Sequence, residues 1–275
     1  MKFSLVVSTI NRTNEIIPFL DSLINQRYKD FEVIVVDQNL DDRLGVVLAS
    51  YQNKFEMRTY RSDKGLSRGR NEGMKHITGD VVAFPDDDCV YPMNLLDAVR
   101  SCFEKDPDVD VISGKTVDSL GRTSVGVFDG SSKKLTPADV WKNHNSISLF
   151  IRRKVVDTVG GFDEMMGIGT YYASSEETDY VIRILKEEFV IQYTPSVLVQ
   201  HEQVEHSTKS SQKSRALSYG RGAGRLIRKH GKFFSVYDYF KVLFGPIFRM
   251  IKPLTLNNTI LQIYSLAGRW QGFIK

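Results

Sequence analysis

Three adjacent carboxylates directly follow a short apolar segment of this sequence. Asp86, Asp87 and Asp88 come after residues 81–85, Val-Val-Ala-Phe-Pro, which read as a buried strand. Neighbouring carboxylates repel one another, so such a cluster at the end of a strand indicates a bound cation. Asp86 and Asp88 are two residues apart and can both face one ion, and hard oxygen ligands favour Mg²⁺ or Mn²⁺. The triplet predicts a divalent-metal site, with a solvated acidic loop as the alternative.

Two further polar residues also stand at predicted strand ends. Asp37 follows Val-Ile-Val-Val at 33–36, and His201 follows Val-Leu-Val-Gln at 197–200. Asp37 can accept hydrogen bonds from a base or a ribose, or it can simply begin a surface turn. A histidine beside carboxylates is an adaptable third metal ligand, or else a structural residue.

A cluster of acids opens a predicted helix near residues 176–187. Glu176, Glu177 and Asp179 follow Ser174 and Ser175. The simpler interpretation is that a serine cap and acids in the first turn stabilise the helix end. The functional alternative is a general base held on a rigid helix start.

Two glycine-containing segments are candidate binding loops. At 160–164, a glycine pair precedes Phe162 and Asp163, which either end a helix or line a sugar site with an apolar ring and a hydroxyl acceptor. At 65–71, Arg70 lies near a predicted helix start, a natural place for phosphate. Neither segment has the spacing of a Walker loop or of a GxGxxG fingerprint.

The elements that must position these residues alternate between strand and helix. Strands are predicted at 3–8, 32–36, 80–84, 109–113, 146–151 and 189–193. Alternation of this kind favours an α/β fold with a mostly parallel sheet and helices on both faces. Ligands of such sheets bind beyond the carboxyl ends of the strands, where the polar residues described above stand.

The composition excludes several other classes of protein. Of the 275 residues, 41% are hydrophobic and 25% charged, which disfavours disordered, collagen-like and coiled-coil chains. Two cysteines, Cys89 and Cys102, are too few for a disulfide framework and indicate a reducing, cytosolic compartment. No segment has the roughly 20 mostly apolar residues of a spanning helix. We therefore expect a cytoplasmic protein.

The net charge of +4 conceals two unlike parts of the chain. Residues 1–206 hold 24 Lys/Arg and 32 Asp/Glu, whereas residues 207–275 hold 13 Lys/Arg and one acid, Asp238. The parts therefore carry about −8 and +12, which predicts different partners for them. We place a boundary here, between a domain at 1–206 and a basic, aromatic-rich helical extension at 207–275.

The extension has the composition of a segment that lies on a membrane surface. Its residues Arg221, Arg225, Arg228 and Lys232 recur at helical spacing, and aromatic residues follow, interleaved with lysine and arginine. This pattern suits an amphipathic segment on anionic lipid. The alternatives are a solvated basic face above an aromatic core, or a grip on nucleic acid, for which no motif is present.

Taken in order, these motifs resemble those of family 2 glycosyltransferases with the GT-A fold. The resemblance extends over about residues 1–205. It is carried by segments 7–12, 35–37, 65–71, 84–88, 160–164 and 176–179, together with Arg183.

The resemblance implies an inverting transferase that uses a nucleotide-diphosphate sugar, UDP-sugars being favoured, and Mn²⁺ or Mg²⁺. Asp86 and Asp88 match the motif that binds ribose and metal, and His201 matches a histidine that some members add. Glu177 matches the catalytic base, with Glu176 as the runner-up. The implied donor-binding residues are Thr9, Asp37, Arg70, Asp86 and Asp87. Apart from the resemblance, Arg221 of the extension is a further candidate for contact with the donor diphosphate. The implied acceptor-binding residues are Phe162, Asp163 and Asp179.

Two departures from the family pattern affect these assignments. Gln38 and Asn39 stand where Asp-Gly or Asp-Ser often follows the nucleotide aspartate, which weakens any inference about the donor's base. Ser175 replaces the usual glycine before the acid pair, which leaves the position of the catalytic base open.

The basic extension and the family analogy together suggest a lipid-linked glycan acceptor. We expect a role in bacterial surface-polysaccharide assembly of the O-antigen or capsule type, on the inner face of the cytoplasmic membrane. The alternatives are a non-catalytic nucleotide- or membrane-binding protein and a sugar nucleotidyltransferase. The glycine-rich N-terminal loop of the latter is missing, since residues 7–12 contain no glycine.

Overall fold

The computed structural model describes residues 1–202, 208–250 and 255–275. The described residues form two compact units. The sheet unit contains residues 1–64, 68–161 and 183–202, and the helical unit contains 65–67, 162–182, 208–250 and 255–275. The predicted boundary at 206/207 lies outside the described residues.

The sheet unit is built on one mixed β-sheet, to which nine strands of the described residues belong. In chain order the strands are β1 (Phe3–Thr9), β2 (Phe31–Asp37), β3 (Glu56–Arg61), β4 (Val81–Ala83), β5 (Cys89–Val90), β6 (Val111–Val117), β7 (Lys133–Lys134), β8 (Leu149–Arg152) and β9 (Ile191–His201). Across the sheet their order is β3-β2-β1-β4-β8-β6-β9-β5, and β7 pairs with β9.

The half of the sheet formed by β3, β2, β1 and β4 is parallel. All of β2 and almost all of β1 is buried, which explains their continuous rather than alternating apolar sequences. In the register of this pair, Thr9 is the partner of Asp37. The other half is mixed, since β8 runs antiparallel to β4 and β6, and β9 runs parallel to β6.

Helices pack on this sheet around an apolar core. The helices before residue 176 are, in chain order, α1 (Ile17–Ile24), α2 (Gly45–Ala49), α3 (Leu66–Met74), α4 (Leu95–Lys105) and α5 (Arg153–Val159). The core includes Phe19 and Leu20 of α1, Val99 and Phe103 of α4, and the strand residue Phe150. Two short 3₁₀ turns, Pro137–Asp139 and Ser146–Ser148, precede β8.

The helical unit contains three long helices and the start of a fourth. They are α6 (Glu176–Lys186), α7 (Lys209–Lys229), α8 (Val236–Met250) and α9 (Leu256–Ile274), and a 3₁₀ turn, Gly231–Phe233, follows α7. Helices α7 and α9 touch backbone to backbone through glycines. A Cβ added at Gly220 or Gly224 would collide with the backbone of α9, and one at Gly268 or Gly272 with that of α7. Larger residues there would hold the helices apart.

Helix α8 is joined to α9 by a hydrogen bond to a backbone carbonyl that a proline of α8 leaves without its usual helical donor. Pro246 lies inside α8 and has no N–H to donate to the carbonyl of Val242, four residues earlier. Arg269 of α9 donates to that carbonyl instead. Burial lowers the pKa of Arg269 to about 10. At the other end, Ser235 and Asp238 cap α8 with reciprocal hydrogen bonds.

The α/β class agrees with the structure and every predicted strand overlaps an observed one, but several boundaries differ. The strands predicted at 189–193 and at 197–200 form one strand, β9. The prediction missed β3, a half-exposed strand without an apolar run, and β5, which has only two residues. The segment 114–140, in which no strand was predicted, contains the end of β6, the strand β7 and a 3₁₀ turn. Helix α7 begins at Lys209, well before Arg221, the first of the residues predicted at helical spacing. No helix of the described residues is both long and apolar enough to cross a membrane.

Candidate functional site

The predicted site residues of the sheet unit meet at the carboxyl ends of its parallel strands. Thr9 ends β1 and Asp37 ends β2, and the two are register partners. The aspartate triplet follows β4, and Asp86 forms an isolated parallel bridge with Ser8 beside them. The parallel pairing thus places three segments that are far apart in sequence at one edge of the sheet.

Asp86, Asp88 and His201 are arranged as a candidate metal site. Each offers a ligand atom, and these atoms all lie within 4.8 Å of one another. The two-residue strand β5 pairs Cys89 with His201, which brings Asp88 Oδ1 to 3.2 Å from His201 Nε2. Two carboxylates and an imidazole fit a divalent ion such as Mn²⁺ or Mg²⁺, with positions left for phosphate oxygens and water.

The middle aspartate of the triplet faces a different set of partners. Asp87 is buried, accepts a hydrogen bond of 2.5 Å from Thr9 Oγ1 and is paired with Arg12. Arg12 also lies 2.7 Å from Asp88 Oδ2. Burial raises the pKa of Asp87 to about 6, against the opposing effects of Thr9 and Arg12. Thr9 and Arg12 therefore organise the triplet.

The hydrogen bond between Asp88 and His201 shifts the pKa of both side chains. Burial would raise the pKa of Asp88, but the hydrogen bond from His201 and the charge of Arg12 lower it to about 2. The same hydrogen bond raises the pKa of His201 above its usual value, against the effect of burial. Asp88 is therefore a carboxylate throughout the physiological pH range.

Asp37 is held by the turn that follows its strand. It is buried, and its Oδ1 accepts hydrogen bonds from the backbone N–H and the side-chain amide of Asn39, at 2.9 and 2.7 Å. Arg61, at the end of β3, lies 3.1 Å from its Oδ2. The side-chain amide of Gln38 donates to Ser62 Oγ at 2.9 Å. The two residues that depart from the family pattern therefore shape this turn.

Arg70 is a buried cation at the same edge of the sheet. It lies on α3, is 1% exposed and donates to Ser146 Oγ at 2.9 Å. Its guanidinium is 3.3 Å from Asp86 Oδ1. Helix α3 can approach β1 closely because Gly69 has no side chain. A Cβ added there would lie only 2.5 Å from Ser8 Oγ. This approach brings Arg70 to the triplet.

The acid pair of the helical unit follows a residue with an unusual backbone conformation. Ser175 has a φ of +69°, in the left-handed region that favours glycine. The glycine that the family usually has here would adopt this conformation without strain, and the serine adopts it nonetheless. Glu176 is buried and Glu177 only half-buried. Glu177 is therefore the more accessible carboxylate of the pair.

Two further acids of this unit, Asp163 and Asp179, take part in a largely buried ion-pair network. Asp179 is fully buried and lies 2.7 Å both from His230 Nε2 and from Lys229 Nζ. The same lysine lies 2.7 Å from Asp163 Oδ2. Next to this network the buried ring of Phe162 stacks on Tyr180 with a centroid distance of 4.4 Å. These contacts hold the start of α6 against the end of α7. The acceptor-binding roles of Phe162, Asp163 and Asp179 stay predictions.

The predicted cationic face of α7 is packed against aromatic rings. The guanidinium of Arg221 lies 4.2 Å from the ring centroid of Tyr171 and donates to Gln271 Oε1 at 2.8 Å. The guanidinium of Arg225 lies 5.4 Å from the ring centroid of Tyr172. These arginines therefore serve the packing of the helical unit.

The sheet unit thus brings together most of the residues that the sequence singled out for donor and metal binding. They are Thr9, Asp37, Arg70, Asp86, Asp87, Asp88 and His201. The residues singled out as base, as acceptor site and as a further donor contact belong to the helical unit: Glu176, Glu177, Phe162, Asp163, Asp179 and Arg221. Sequence reasoning did not single out Arg12. Its signal was a cation three residues after the first strand.

A family comparison matches more than half of the chain. The sequence model described as Glycosyl transferase family 2 matches residues 4–156. This segment includes β1 to β8 and the aspartate triplet.

Curated relatives share parts of the chain. The poly(ribitol-phosphate) beta-N-acetylglucosaminyltransferase TarS of Staphylococcus aureus is 33% identical over 127 residues, which are 44% of this chain and 22% of TarS. The glucosyl-dolichyl phosphate glucuronosyltransferase of Haloferax volcanii is 25% identical over 225 residues, 76% of this chain and 72% of the relative. The matched part of the chain therefore covers only about a fifth of the length of TarS.

Solved structures share the fold over nearly the whole chain. The mannosyltransferase PcManGT from Pyrobaculum calidifontis, in complex with GDP-Man and Mn²⁺, has a TM-score of 0.68 at 17% identity and covers 98% of this chain and 86% of its own. TarS residues 1–349 in complex with UDP-GlcNAc give a TM-score of 0.61 at 18% identity, covering 99% and 89%. These likenesses establish the GT-A fold.

Proposed function

Because the chain belongs to glycosyltransferase family 2, we propose that it transfers a sugar from a nucleotide-diphosphate sugar to an acceptor hydroxyl, with inversion at the anomeric carbon. A UDP-sugar is the favoured donor. The observation that carries the proposal is the cluster of Asp86, Asp88 and His201 at the carboxyl edge of a parallel sheet. Neither a plain nucleotide-binding protein nor a membrane-binding protein requires such a cluster.

The metal-site residues and their neighbours bind the donor diphosphate. Mn²⁺ or Mg²⁺ held by this cluster supplies Lewis-acid stabilisation for the negative charge that develops on the leaving nucleoside diphosphate. Arg70, buried 3.3 Å from Asp86, adds a fixed positive charge beside the phosphates. The hydrogen bond from Thr9 to Asp87 fixes the conformation of the aspartate triplet. Asp37 accepts hydrogen bonds from the nucleoside. Arg221, whose guanidinium lies over the ring of Tyr171, is a further proposed donor contact.

Glu177 is the proposed catalytic base, and its partial exposure supports this choice over the buried Glu176. The carboxylate removes the proton of the acceptor hydroxyl. The hydroxyl oxygen forms a bond to C1 of the sugar from the opposite face, while the bond between C1 and the phosphate oxygen breaks. A single displacement of this kind inverts the anomeric centre.

The proposed acceptor is a lipid-linked glycan in surface-polysaccharide assembly of the O-antigen or capsule type. Two observations support it: a net charge of about +12 in residues 207–275, and a Haloferax volcanii relative that is named for a dolichyl-phosphate-linked substrate. The acceptor in the name of TarS is a poly(ribitol-phosphate), so a cell-wall polymer is the competing acceptor. In the first case the protein works at the cytoplasmic surface of the membrane, where its extension contacts anionic lipid.

The test is a transfer and donor-hydrolysis assay with UDP-, GDP- and dTDP-sugars in the presence of Mn²⁺. We expect Asp88→Ala to abolish turnover and metal-dependent donor binding. We expect Glu177→Gln to bind the donor normally but to lose turnover by about 100-fold or more, the usual scale for general acid–base catalysis. Asp157→Ala, which removes an exposed carboxylate of α5, is the matched control and should keep full activity.

Full activity of the Asp88 variant would refute the metal assignment. Unchanged turnover of the Glu177 variant would move the base to Glu176, which the corresponding Glu176→Gln variant tests directly. If the wild-type protein neither transfers nor hydrolyses any donor but still binds nucleotide, the chain is a binding protein.

A further inference from the structure

Helix α8 exposes an apolar face to solvent. Six of its residues share this outer face by helical spacing: Val236, Tyr237, Phe240, Phe244, Ile247 and Phe248. All of them except the half-buried Phe244 are between 39% and 75% exposed. The rings of Phe240 and Phe244 stack on one another at 5.5 Å. A continuous apolar stripe of this length indicates an interaction surface, whereas single exposed apolar residues do not.

The opposite face of α8 is already packed, so the outer face cannot turn inward. Val242, Leu243 and Pro246 are buried. The hydrogen bond from Arg269 to the carbonyl of Val242 fixes the rotation of α8 about its axis. The edge contact between Phe244 and Trp270, with centroids 5.5 Å apart, fixes it a second time. Helix α8 therefore has two apolar faces, only one of which the described part of the chain covers.

The charges around the outer face are positive. Lys241 is exposed and borders this face by helical spacing, and Lys232 is exposed shortly before the helix. Asp238 is the only acid in residues 207–275, and its carboxylate is hydrogen bonded to Ser235 in the helix cap. An apolar, aromatic stripe bordered by cations is complementary to a surface that is apolar inside and anionic at its rim.

The other basic helix of this unit is less suited to that surface. Arg221 and Arg225 of α7 lie over the rings of Tyr171 and Tyr172, and Arg228 donates to the carbonyl of Ile274. Their guanidinium groups are occupied by packing, whereas the outer face of α8 has no comparable cover among the described residues. Of the basic and aromatic extension that the sequence predicts to lie on lipid, the outer face of α8 is therefore the better candidate surface.

We propose that the outer face of α8 lies in the interface of an anionic lipid bilayer, with its aromatic rings among the upper acyl chains and Lys241 at the level of the phosphates. Fifteen residues of helix are about 22 Å long, which suits a helix lying flat in the interface. This inference rests on the membrane contact included in the proposed function, and it goes further by naming the helix and the face.

The proposal is tested by co-sedimentation of the full-length chain with vesicles. One set is phosphatidylcholine alone, and the other contains phosphatidylglycerol at roughly one lipid in three. We expect binding to the anionic vesicles. We expect the double variant Phe240→Ser/Phe248→Ser to bind these vesicles at least about tenfold more weakly than wild type, because two immersed rings are lost. The matched control is Leu120→Ser, which removes an apolar side chain that is 73% exposed in the sheet unit.

A second variant keeps the test valid if the serine variant does not fold. Phe248→Trp preserves an aromatic side chain, and its fluorescence should shift to the blue and be quenched by brominated lipids when anionic vesicles are added. Lys241→Glu should weaken binding to anionic vesicles and leave the weak binding to phosphatidylcholine unchanged.

Equal vesicle binding by the wild type and the serine variant would overturn the proposal, as would an unshifted emission of Trp in place of Phe248. Sedimentation velocity without lipid tests the competing possibility that a second copy of the chain occupies this face. If the wild type self-associates, the serine variant is monomeric and neither binds vesicles, then the face belongs to a second copy of the chain and the proposal fails.

Failure of this inference can be told apart from failure of the proposed function. Donor hydrolysis by the wild type, measured without lipid, does not involve α8. Normal hydrolysis with no vesicle binding would refute the membrane surface alone. Vesicle binding that is lost in the serine variant, together with no turnover on any donor, would refute the transferase alone.

Discussion

Glu32 is a charged side chain of β2 that has no exposed surface. Its Oε1 accepts hydrogen bonds from Ser4 Oγ and from the backbone N–H of Thr78, both at 2.6 Å. Its other oxygen is paired with Arg58 of β3. Burial alone would raise the pKa of Glu32, but these hydrogen bonds lower it from 4.5 to about 2. The carboxylate therefore joins β2, β3 and the segment before β4 only while it is charged.

This shift predicts how stability depends on pH. Because the pKa of Glu32 is lower in the folded protein, its contribution is complete above 4.5 and is lost as the pH falls towards about 2. The shift corresponds to about 3 kcal/mol. We expect Glu32→Gln to lower the free energy of unfolding by that order at neutral pH, and we expect the difference from wild type to shrink through this window. Denaturant unfolding over a pH series measures both.

Glu56→Gln is the matched control for this prediction. Glu56 lies on the neighbouring β3, but its side chain is half exposed and pairs with Lys2 at 2.7 Å. An exposed pair of this kind contributes little to stability. A loss as large as that of the Glu32 variant, or a difference that does not change with pH, would contradict the assigned role of Glu32.

The sequence predicted the metal-site residues better than their supports. Asp86, Asp88 and His201 could be found because each follows an apolar strand, and the ends of neighbouring strands converge. Arg12 escaped notice, because its partner Asp87 is 75 residues away and no spacing rule links the two. For the left-handed backbone of Ser175, the serine itself carries no signal, and only the glycine that the family usually has at this position indicates it.

At the scale of elements, the contact between α7 and α9 depends on glycines at matched positions. We expect Gly224→Ala to destabilise the helical unit by about 1–3 kcal/mol, the usual cost of overpacking, because its new Cβ would overlap the backbone carbonyl of Arg269. A thermal melt followed by circular dichroism measures the change.

Gly245→Ala provides the control on the adjacent helix. A Cβ at Gly245 meets nothing closer than Arg269 at 3.6 Å, an ordinary contact. Alanine also has the higher helix propensity, so this variant should be as stable as wild type or more stable by up to about 1 kcal/mol. If both variants melt at the same temperature, the close approach of α7 and α9 is not a determinant of stability.

The elements that were predicted correctly have the strongest apolar signals. β1 and β2 are buried almost throughout, so their sequences contain unbroken apolar runs. β3 reads Glu-Met-Arg-Thr-Tyr-Arg and stands at the sheet edge, where half exposure removes that signal. The start of α7 at Lys209 and its close contact with α9 have no such apolar signal, because both depend on tertiary contacts.

At the scale of the whole molecule, the site gives a prediction for ligand-linked stability. A ligand that binds only the folded chain raises its free energy of unfolding, by about 2.7 kcal/mol at a concentration 100 times its dissociation constant. We therefore expect UDP and Mn²⁺ together to raise the melting temperature of wild type clearly. In Asp88→Ala, which lacks one ligand of the cluster, the rise should largely disappear.

Three control samples separate the contributions in this experiment. UDP with a chelator, Mn²⁺ alone, and Asp157→Ala with UDP and Mn²⁺ are melted alongside. A rise with UDP that is equal with and without the chelator would show donor binding that does not need the metal. A normal rise in the Asp88 variant would contradict the role of the cluster.

The fold class, the family and the uneven charge followed from the sequence, but the grouping of segments did not. Residues 65–67 and 162–182, which precede the proposed boundary at 206/207, belong to the same compact unit as the basic helices. The contacts responsible include the pairs of Asp179 with Lys229 and His230. A change of composition is a property of neighbouring residues in the sequence, whereas compact units depend on contacts between distant segments. The composition therefore cannot predict how the segments are grouped into units.

The proline of α8 has a consequence for the order in which the chain is synthesised. The ribosome releases α7 and α8 before α9. Until residues near 269 have been synthesised, the carbonyl of Val242 lacks its hydrogen-bond donor and the glycine surface of α7 lacks its partner helix. Until then α8 has two uncovered apolar faces, and in a nascent chain exposed apolar surface favours aggregation or capture by chaperones. Completion of α9 covers one of these faces, and the outer face stays exposed among the described residues of the folded chain.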